Sequence, residues 1–500
     1  GAGCHAVAAS DTPVGIDIND PVGAVAVFTA ACGSDDTTTT TTGGAGGVGN
    51  AGSGGTAGTL PTGGLPAGGG TTGAGTTGAG TTGAGTTGAG TTGAGTTGGA
   101  ATGGVATGGT GGDGTGGGGT GGEATGGTGG DGGTGAPRCT RVSPATGGDA
   151  IILKENIFDD APTSMVHSST IMQEETSGDL LSAWYGGSSE GSSDVKIYLS
   201  RKPLGGQWTD PQMIADGHGK AVWNPVLFQP RGGDVGCYYK CPNINTGEVV
   251  TSSDGGLTWS DWKPVGEGLT GPVVNKPIQL DDGTIISPSS RQDPERIHVE
   301  ISTDNGQTWT HSGNISDPDS EFKLIQPTIL VHSQTTLQII ARRSYAKSKD
   351  MRLATTWSRD AGRTWETLSA IPSLPANDCS QDALSLRCGD GRHLLFYNHS
   401  TRADSDTGGK GRGILNMAVT TDGISFEAAL VLDYRNDGSR YTYPAAIQTQ
   451  DGLVHVTYTF HRKRIKHMVL NPYSSALQTF PIPDSGEWPK DKIPWVESSE

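Results

Sequence analysis

The chain has 500 residues, a formal net charge of −17 and 84 glycines. An acidic balance without any basic block argues against a nucleic-acid partner and against docking on anionic membrane surfaces. The longest apolar run, Pro21 to Cys32, is too short to span a bilayer.

Residues 1–36 read as a leader. It closes with Phe28-Thr-Ala-Ala-Cys32-Gly, which looks like a bacterial lipoprotein processing site, although Thr29 stands where Leu is usual and no basic segment precedes it. On that reading a lipid on Cys32 is the only membrane contact, and the protein is exported to the cell envelope or secreted. Residues 37–137 are nearly all Gly, Thr and Ala, with five tandem Thr-Thr-Gly-Ala-Gly units from Thr71 to Gly95. Such a segment has too little apolar surface to offset its ordering entropy. It is expected to be a disordered tether with a root-mean-square span of roughly 55 Å.

The folded part is expected over 145–500. It opens with a short strand at Ile151 to Leu153, and an eight-residue pattern then recurs. The copies are Ser252-Ser-Asp254-Gly-Gly256-Leu-Thr258-Trp259, Ser302 to Trp309 and Ser358 to Trp365, with a copy one residue short from Thr420 to Phe426. Gly205-Gly-Gln-Trp208 is a degenerate first copy. The aromatic positions are 51, 50, 56 and 61 residues apart. A period near 50 residues predicts an all-β propeller. Five turns, plus a closing segment from Tyr441 to the end, predict six blades. The strand near Ile151 is expected to pair with the last blade and close the ring.

A second repeat lies out of phase with the first: a polar residue, usually Pro, then an apolar run. It is seen at Asn224-Pro225, Lys276-Pro277, Gln326-Pro327 and Tyr443-Pro444, with His167-Ser-Ser and Asp382-Ala in the matching places of blades one and five. Pro is tolerated at a strand's first residue, so these are read as the starts of innermost strands. In a propeller such starts converge at one mouth. His167, Asn224, Lys276, Gln326, Asp382 and the Tyr441/Tyr443 pair are therefore expected to share one pocket. The eight-residue turns should lie away from it, their Asp side chains holding the turn.

Near this period Cys237/Cys241 and Cys379/Cys388 form two close pairs, candidate disulfides in an exported protein. Neither has zinc-hairpin spacing. No metal or cofactor is expected, and the chain is expected to be monomeric.

The repeated turns resemble the Asp-box of sialidases, and the resemblance covers Met165 to Pro472, within the BNR-repeat-like branch of that superfamily. It implies a sialidase-like six-bladed propeller. Ile339-Ile-Ala-Arg342 looks like the strand bearing the second arginine of the sialidase triad, and Arg412-Gly-Ile-Leu415 like the segment bearing the third. Arg440-Tyr441-Thr-Tyr443-Pro looks like the segment of the nucleophilic tyrosine, with Tyr441 the better match and Tyr443 the fallback. The loop from Trp184 to Asp194 offers Glu190, then Asp194, as the acid. The family pattern breaks at His167, where an arginine is usual, and at Gln326, where a glutamate activates the tyrosine.

The implied activity is that of an exo-acting glycoside hydrolase releasing a terminal acidic sugar. Arginines hold the sugar's carboxylate in bidentate contacts. A neutral tyrosine attacks because a carboxylate nucleophile would be repelled. Two other readings fit: a uronate-directed glycosidase or lyase, with His167 and Tyr441 as acid and base, and a non-catalytic carbohydrate-binding propeller.

Overall fold

The computed structural model describes residues 148–292, 295–315, 323–343, 351–387, 391–401 and 411–498. The leader, Cys32, the 37–137 segment and Cys388 lie outside the described residues.

Six antiparallel sheets follow one another along the chain. Blade one is Met165–Gln173, Leu180–Gly187, Lys196–Lys202 and Gln212–Ala215. Blade two is Trp223–Phe228, Val235–Lys240, Gly247–Ser252 and Lys263–Pro264. Blade three is Ile278–Gln279, Ile285–Gln292, Glu295–Ser302 and Thr310–Ile315. Blade four is Leu324–Val331, Leu337–Arg343, Arg352–Ser358 and Ser369–Pro375. Blade five is Asp382–Ser385, His393–Tyr397, Ile414–Thr420 and Glu427–Tyr434. Blade six takes Tyr441–Gln448, Val454–Phe460 and Arg464–Leu470, and its fourth strand is Ile151–Asn156 from the start of the domain. The first strands of blades six and one, one and two, four and five, and five and six pack together, while blade three meets blade four through its second strand. The ring therefore closes as the sequence implied.

The core lies between blades, and strand alternation creates it. In blade four, Leu337, Ile339 and Ala341 face a cluster with Ile286 and Val299 of blade three, while Ile340 faces one with Leu395 and Ala418 of blade five. The same parity sends Arg342 toward blade five.

Each Asp-box is the turn after a third strand. Asp254 Oδ1 accepts the N–H groups of Leu257 (3.0 Å) and Thr258 (2.9 Å), and Oδ2 accepts the Thr258 hydroxyl at 2.6 Å. Asp304, Asp360 and Asp422 also accept from the N–H groups of their own turns. The box glycines Gly256, Gly306 and Gly362 share a positive φ, and Gly256 has a second, steric reason. Gly256 has φ +89°, and a Cβ there would lie 2.7 Å from Leu181 Cδ1 of the preceding blade. The boxes thus set turns and blade contacts.

The ring closure carries a polar lock. Glu155, on the closing strand, accepts from Lys202 Nζ (2.8 Å) and Trp208 Nε1 (3.0 Å) of blade one, and lies 2.8 Å from His467 Nδ1 of blade six. Burial pushes the Glu155 carboxyl up, but the hydrogen bonds from His467 and Lys202 outweigh it and hold it at about 2. Burial pushes His467 below its ordinary range. His467 and Lys202 thus both hold Glu155, from blade six and blade one. A depressed carboxyl contributes stability that is present above pH 4.5, its ordinary value, and lost as pH falls through about 2. Glu155→Gln is expected to lower stability at neutral pH by about 1–2 kcal/mol. Thermal melts from pH 7 to 2 should show a shallower acid decline in the variant; parallel declines would exclude this lock.

Two expectations are corrected here. Cys237 and Cys241 are both free and buried. In an extended strand rising ~3.3 Å per residue, positions four apart stand about 13 Å from each other, too far for a bridge. Cys379 is also free, and its expected partner Cys388 is not described. The closing segment also differs: blade six ends at Leu470, and the chain returns to blade five. Phe480–Pro481 adds a fifth strand there, and Ser498 N donates to Tyr434 O at 3.0 Å.

Candidate functional site

The innermost strands of four blades share one irregularity. Their ladders break between His167 and Thr170, Trp223 and Val226, Ile325 and Thr328, and Thr442 and Ala445. Inside each break sits a left-handed residue: Ser168 (φ +54°), Asn224 (+49°), Gln326 (+53°) and Tyr443 (+54°). Ser169, Pro225, Pro327 and Pro444 follow, where no ladder N–H is required. Strained bulges of this kind re-aim side chains and gather at functional sites.

Arg342 is the centre of the site. It is fully buried. Its Nε donates to Asp378 Oδ1 at 2.9 Å, and Nη2 lies 2.7 Å from the same oxygen. Its Nη1 donates to Gln326 Oε1 at 2.9 Å and to the Tyr443 hydroxyl at 3.1 Å. Gln326 Nε2 also donates to that hydroxyl, at 3.3 Å. Burial opposes the charge on Arg342, but Asp378 outweighs it, with Tyr443 and Cys379 adding less, and holds the guanidinium above its ordinary value. Arg412, 5% exposed, donates Nη2 to the Asp378 carbonyl at 2.7 Å. The Tyr443 ring packs on Val273, Val274 and Cys379, and meets the His167 ring edge-on at 4.3 Å. His167 Nδ1 lies 3.2 Å from Thr459 Oγ1.

The BNR repeat-like domain family matches residues 178–456, more than half of the chain. The chain belongs to that family. No curated protein matches it. Among solved structures, the intramolecular trans-sialidase from Ruminococcus gnavus is 12% identical with a TM-score of 0.50, over 66% of this chain and 100% of that one. A protein of unknown function from Dyadobacter fermentans is 17% identical (TM-score 0.49; 64% and 98% covered). A Hadza microbial sialidase is 17% identical (TM-score 0.48; 63% and 67% covered). At such identities the likeness concerns the fold alone. That fold is the sialidase-like six-bladed propeller.

The BNR propeller places the remaining candidates as follows. Tyr441 was the better sequence match, but it lies before the bulge, in regular register with Phe460. Its ring stacks on Phe460 at 5.3 Å, in the apolar cluster between blades five and six. Tyr443 is the tyrosine that reaches Arg342. In blade three the left-handed residue is Val274 (φ +67°), so Lys276 lies two residues further along the chain, nearer the first strand at Ile278. Counting along the ladder from the box likewise puts Ser380, not Asp382, level with Gln326. Lys276 and Asp382 therefore belong to the next level down, where they bind each other (2.7 Å). Asp382 also accepts from Thr328 Oγ1 (2.9 Å) and Ala446 N (2.8 Å). They form a clamp across the axis, apart from the Arg342 cluster.

Glu190 is held rather than free: Oε1 accepts from Tyr185 OH at 2.9 Å, and Oε2 lies 2.6 Å from Arg462 Nη1. Tyr185 in turn faces His167, with ring centroids 5.6 Å apart. Asp194 accepts from the Ser188 N–H (3.0 Å) and hydroxyl (2.9 Å), and so locks the 188–194 loop on itself. Asn224 is fully buried, and neither side-chain polar atom has a partner among the described residues. Asp378, Cys379, Tyr185 and Arg462 had no signal in either repeat. Asp378, Cys379 and Arg462 come from loops outside both periods, and Tyr185 from blade one's second strand, opposite His167.

Proposed function

We propose that this BNR propeller binds the carboxylate-bearing sugar of a glycan at the mouth formed by His167, Gln326, Arg342, Arg412 and Tyr443, and cleaves its glycosidic bond. One observation carries the reading: the Tyr443 oxygen accepts from both Arg342 Nη1 and Gln326 Nε2. Two donors on a phenol oxygen, one of them cationic, favour its anionic form and make it a nucleophile or base. The Arg342 and Arg412 guanidiniums, gathered by the Asp378 carboxylate and carbonyl respectively, are donors of the kind that bind a sugar carboxylate. The sialidase resemblance agrees with an exo-acting hydrolase in which Tyr443 takes the place expected of Tyr441. On this reading the chain works outside the cell.

A second reading, β-elimination at a uronate, has its own support. Gln326 cannot accept a proton from Tyr443, and Glu190 is engaged by Arg462. A lyase needs no carboxylic acid pair. It needs a neutralised uronate and a base such as Tyr443 or His167. Sialosides and uronate oligosaccharides, with their methyl esters, separate the outcomes. Both reactions free a reducing end; its release without ultraviolet absorbance marks hydrolysis, and its release together with the absorbance of an unsaturated product marks elimination. The expected result is turnover of a carboxylate substrate and at least tenfold less of its ester. Equal rates on both, or glycan binding with no cleavage, would contradict the proposal.

A further inference from the structure

Residues 270–275, which lead into blade three, join the Arg342 cluster to two buried charged side chains outside it. The start of the segment is held by those side chains rather than by a strand ladder. Glu300, on blade three's third strand and 2% exposed, accepts the N–H groups of Thr270 (2.6 Å) and Gly271 (2.9 Å) and the Thr270 hydroxyl (3.0 Å). Lys240, the last residue of blade two's second strand and fully buried, donates Nζ to the carbonyls of the same two residues. Both N–H and both C=O groups of Thr270 and Gly271 are thus satisfied inside the protein.

The other end of the segment reaches the site twice. Val273 and Val274 pack in one apolar cluster with the Tyr443 ring and Cys379. Asn275 Nδ2 donates to the carbonyls of Gln326 (3.1 Å) and Pro327 (3.0 Å). The segment therefore touches Tyr443 and Gln326, the two residues that accept from Arg342 Nη1. Val274 holds φ +67°, a conformation that a β-branched residue keeps only when its surroundings impose it.

We infer that Lys240 and Glu300 are positioning residues: they fix Thr270–Gly271, and the segment beyond fixes the Tyr443 ring and the Gln326 backbone against Arg342. The spacing they guard is sensitive. Gln326 Nε2 reaches the Tyr443 hydroxyl at 3.3 Å, already long for such a bond, so a further shift of about 0.5 Å would break it. That the two residues support turnover rests on the function proposed above; that they set the surroundings of Tyr443 does not.

Carbon-13 NMR of the tyrosine Cζ atoms in the full chain tests this, with the Tyr443 signal assigned by its loss in Tyr443→Phe. Lys240→Met and Glu300→Gln should each move that signal and the pH at which it titrates. Glu155→Gln, which weakens the fold at the ring closure, should leave both unchanged. On a carboxylate-bearing glycan the first two variants should lose about tenfold or more in kcat, with KM kept within about twofold. An unmoved Tyr443 signal, an equal shift in Glu155→Gln, or wild-type kcat in both variants would overturn the inference. If neither variant folds, Thr270→Val decides: it loses only the hydroxyl that Glu300 accepts, so movement of the Tyr443 signal supports the inference and an unmoved signal overturns it. The expected NMR shifts without turnover even in the wild type would count against the proposed function alone.

Discussion

Arg342→Met is expected to lower the unfolding free energy by about 3–5 kcal/mol, the cost of stranding one partner of a buried ion pair. The side chain is fully buried and contacts three elements at once: Asp378 before blade five, Gln326 in the first strand of blade four and Tyr443 in blade six. Met fills similar volume, so the loss is electrostatic rather than a cavity. It leaves the Asp378 carboxylate, 1% exposed, without its guanidinium. Urea unfolding should show a lower midpoint at unchanged slope. Adding Asp378→Asn should recover part of the loss, because no charge is then stranded and Asn tolerates the φ of +64° at this position. A single-variant cost under about 1 kcal/mol would mean that the pair does not organise the site.

The fold was legible because its signals are short-range. An Asp-box needs a carboxylate on the turn N–H groups and a glycine at positive φ, and both requirements fall within eight residues. Four such turns set the phase, and with the degenerate copy at Trp208 and the closing segment from Tyr441 they give the blade number. The return of residues 471–498 to blade five carries no repeat, and its prolines and tryptophans fit many paths.

The site was legible only in part. What decides it is backbone register, and Pro is an incomplete marker of that. Asn224-Pro225, Gln326-Pro327 and Tyr443-Pro444 do lie in the bulges. Lys276-Pro277 has the same letters, but the left-handed residue of its blade is Val274, two residues earlier and ahead of the first strand. The first strand of blade five has no Pro, and Asp382 took a place that belongs to Ser380. Tyr441 and Tyr443 are two apart, which in a regular strand would point both the same way. The bulge after Thr442 breaks that parity, leaving Tyr441 in the core and Tyr443 on Arg342. Arg342 was singled out by the family resemblance of its strand, and strand alternation alone is enough to assign its face. Asp378 was missed because nothing in the sequence marks the loop that delivers it.

The second large effect follows from that parity. Tyr443→Phe removes a hydroxyl that lies between Arg342 and Gln326, and nothing else in the side chain changes. Its ring contacts with His167, Val274 and Cys379 persist, so the fold should be kept. Tyr441→Phe also removes a phenol oxygen, but from a ring stacked in the core between blades five and six. The decisive measurement is the turnover number of wild type, Tyr443→Phe and Tyr441→Phe on one carboxylate-bearing glycan. The account predicts a fall of roughly 10²–10⁴-fold for Tyr443→Phe, the range for losing an acid–base or nucleophilic group, and less than about threefold for Tyr441→Phe, where no reacting group is lost. Wild-type turnover in Tyr443→Phe, or the larger loss in Tyr441→Phe, would contradict it.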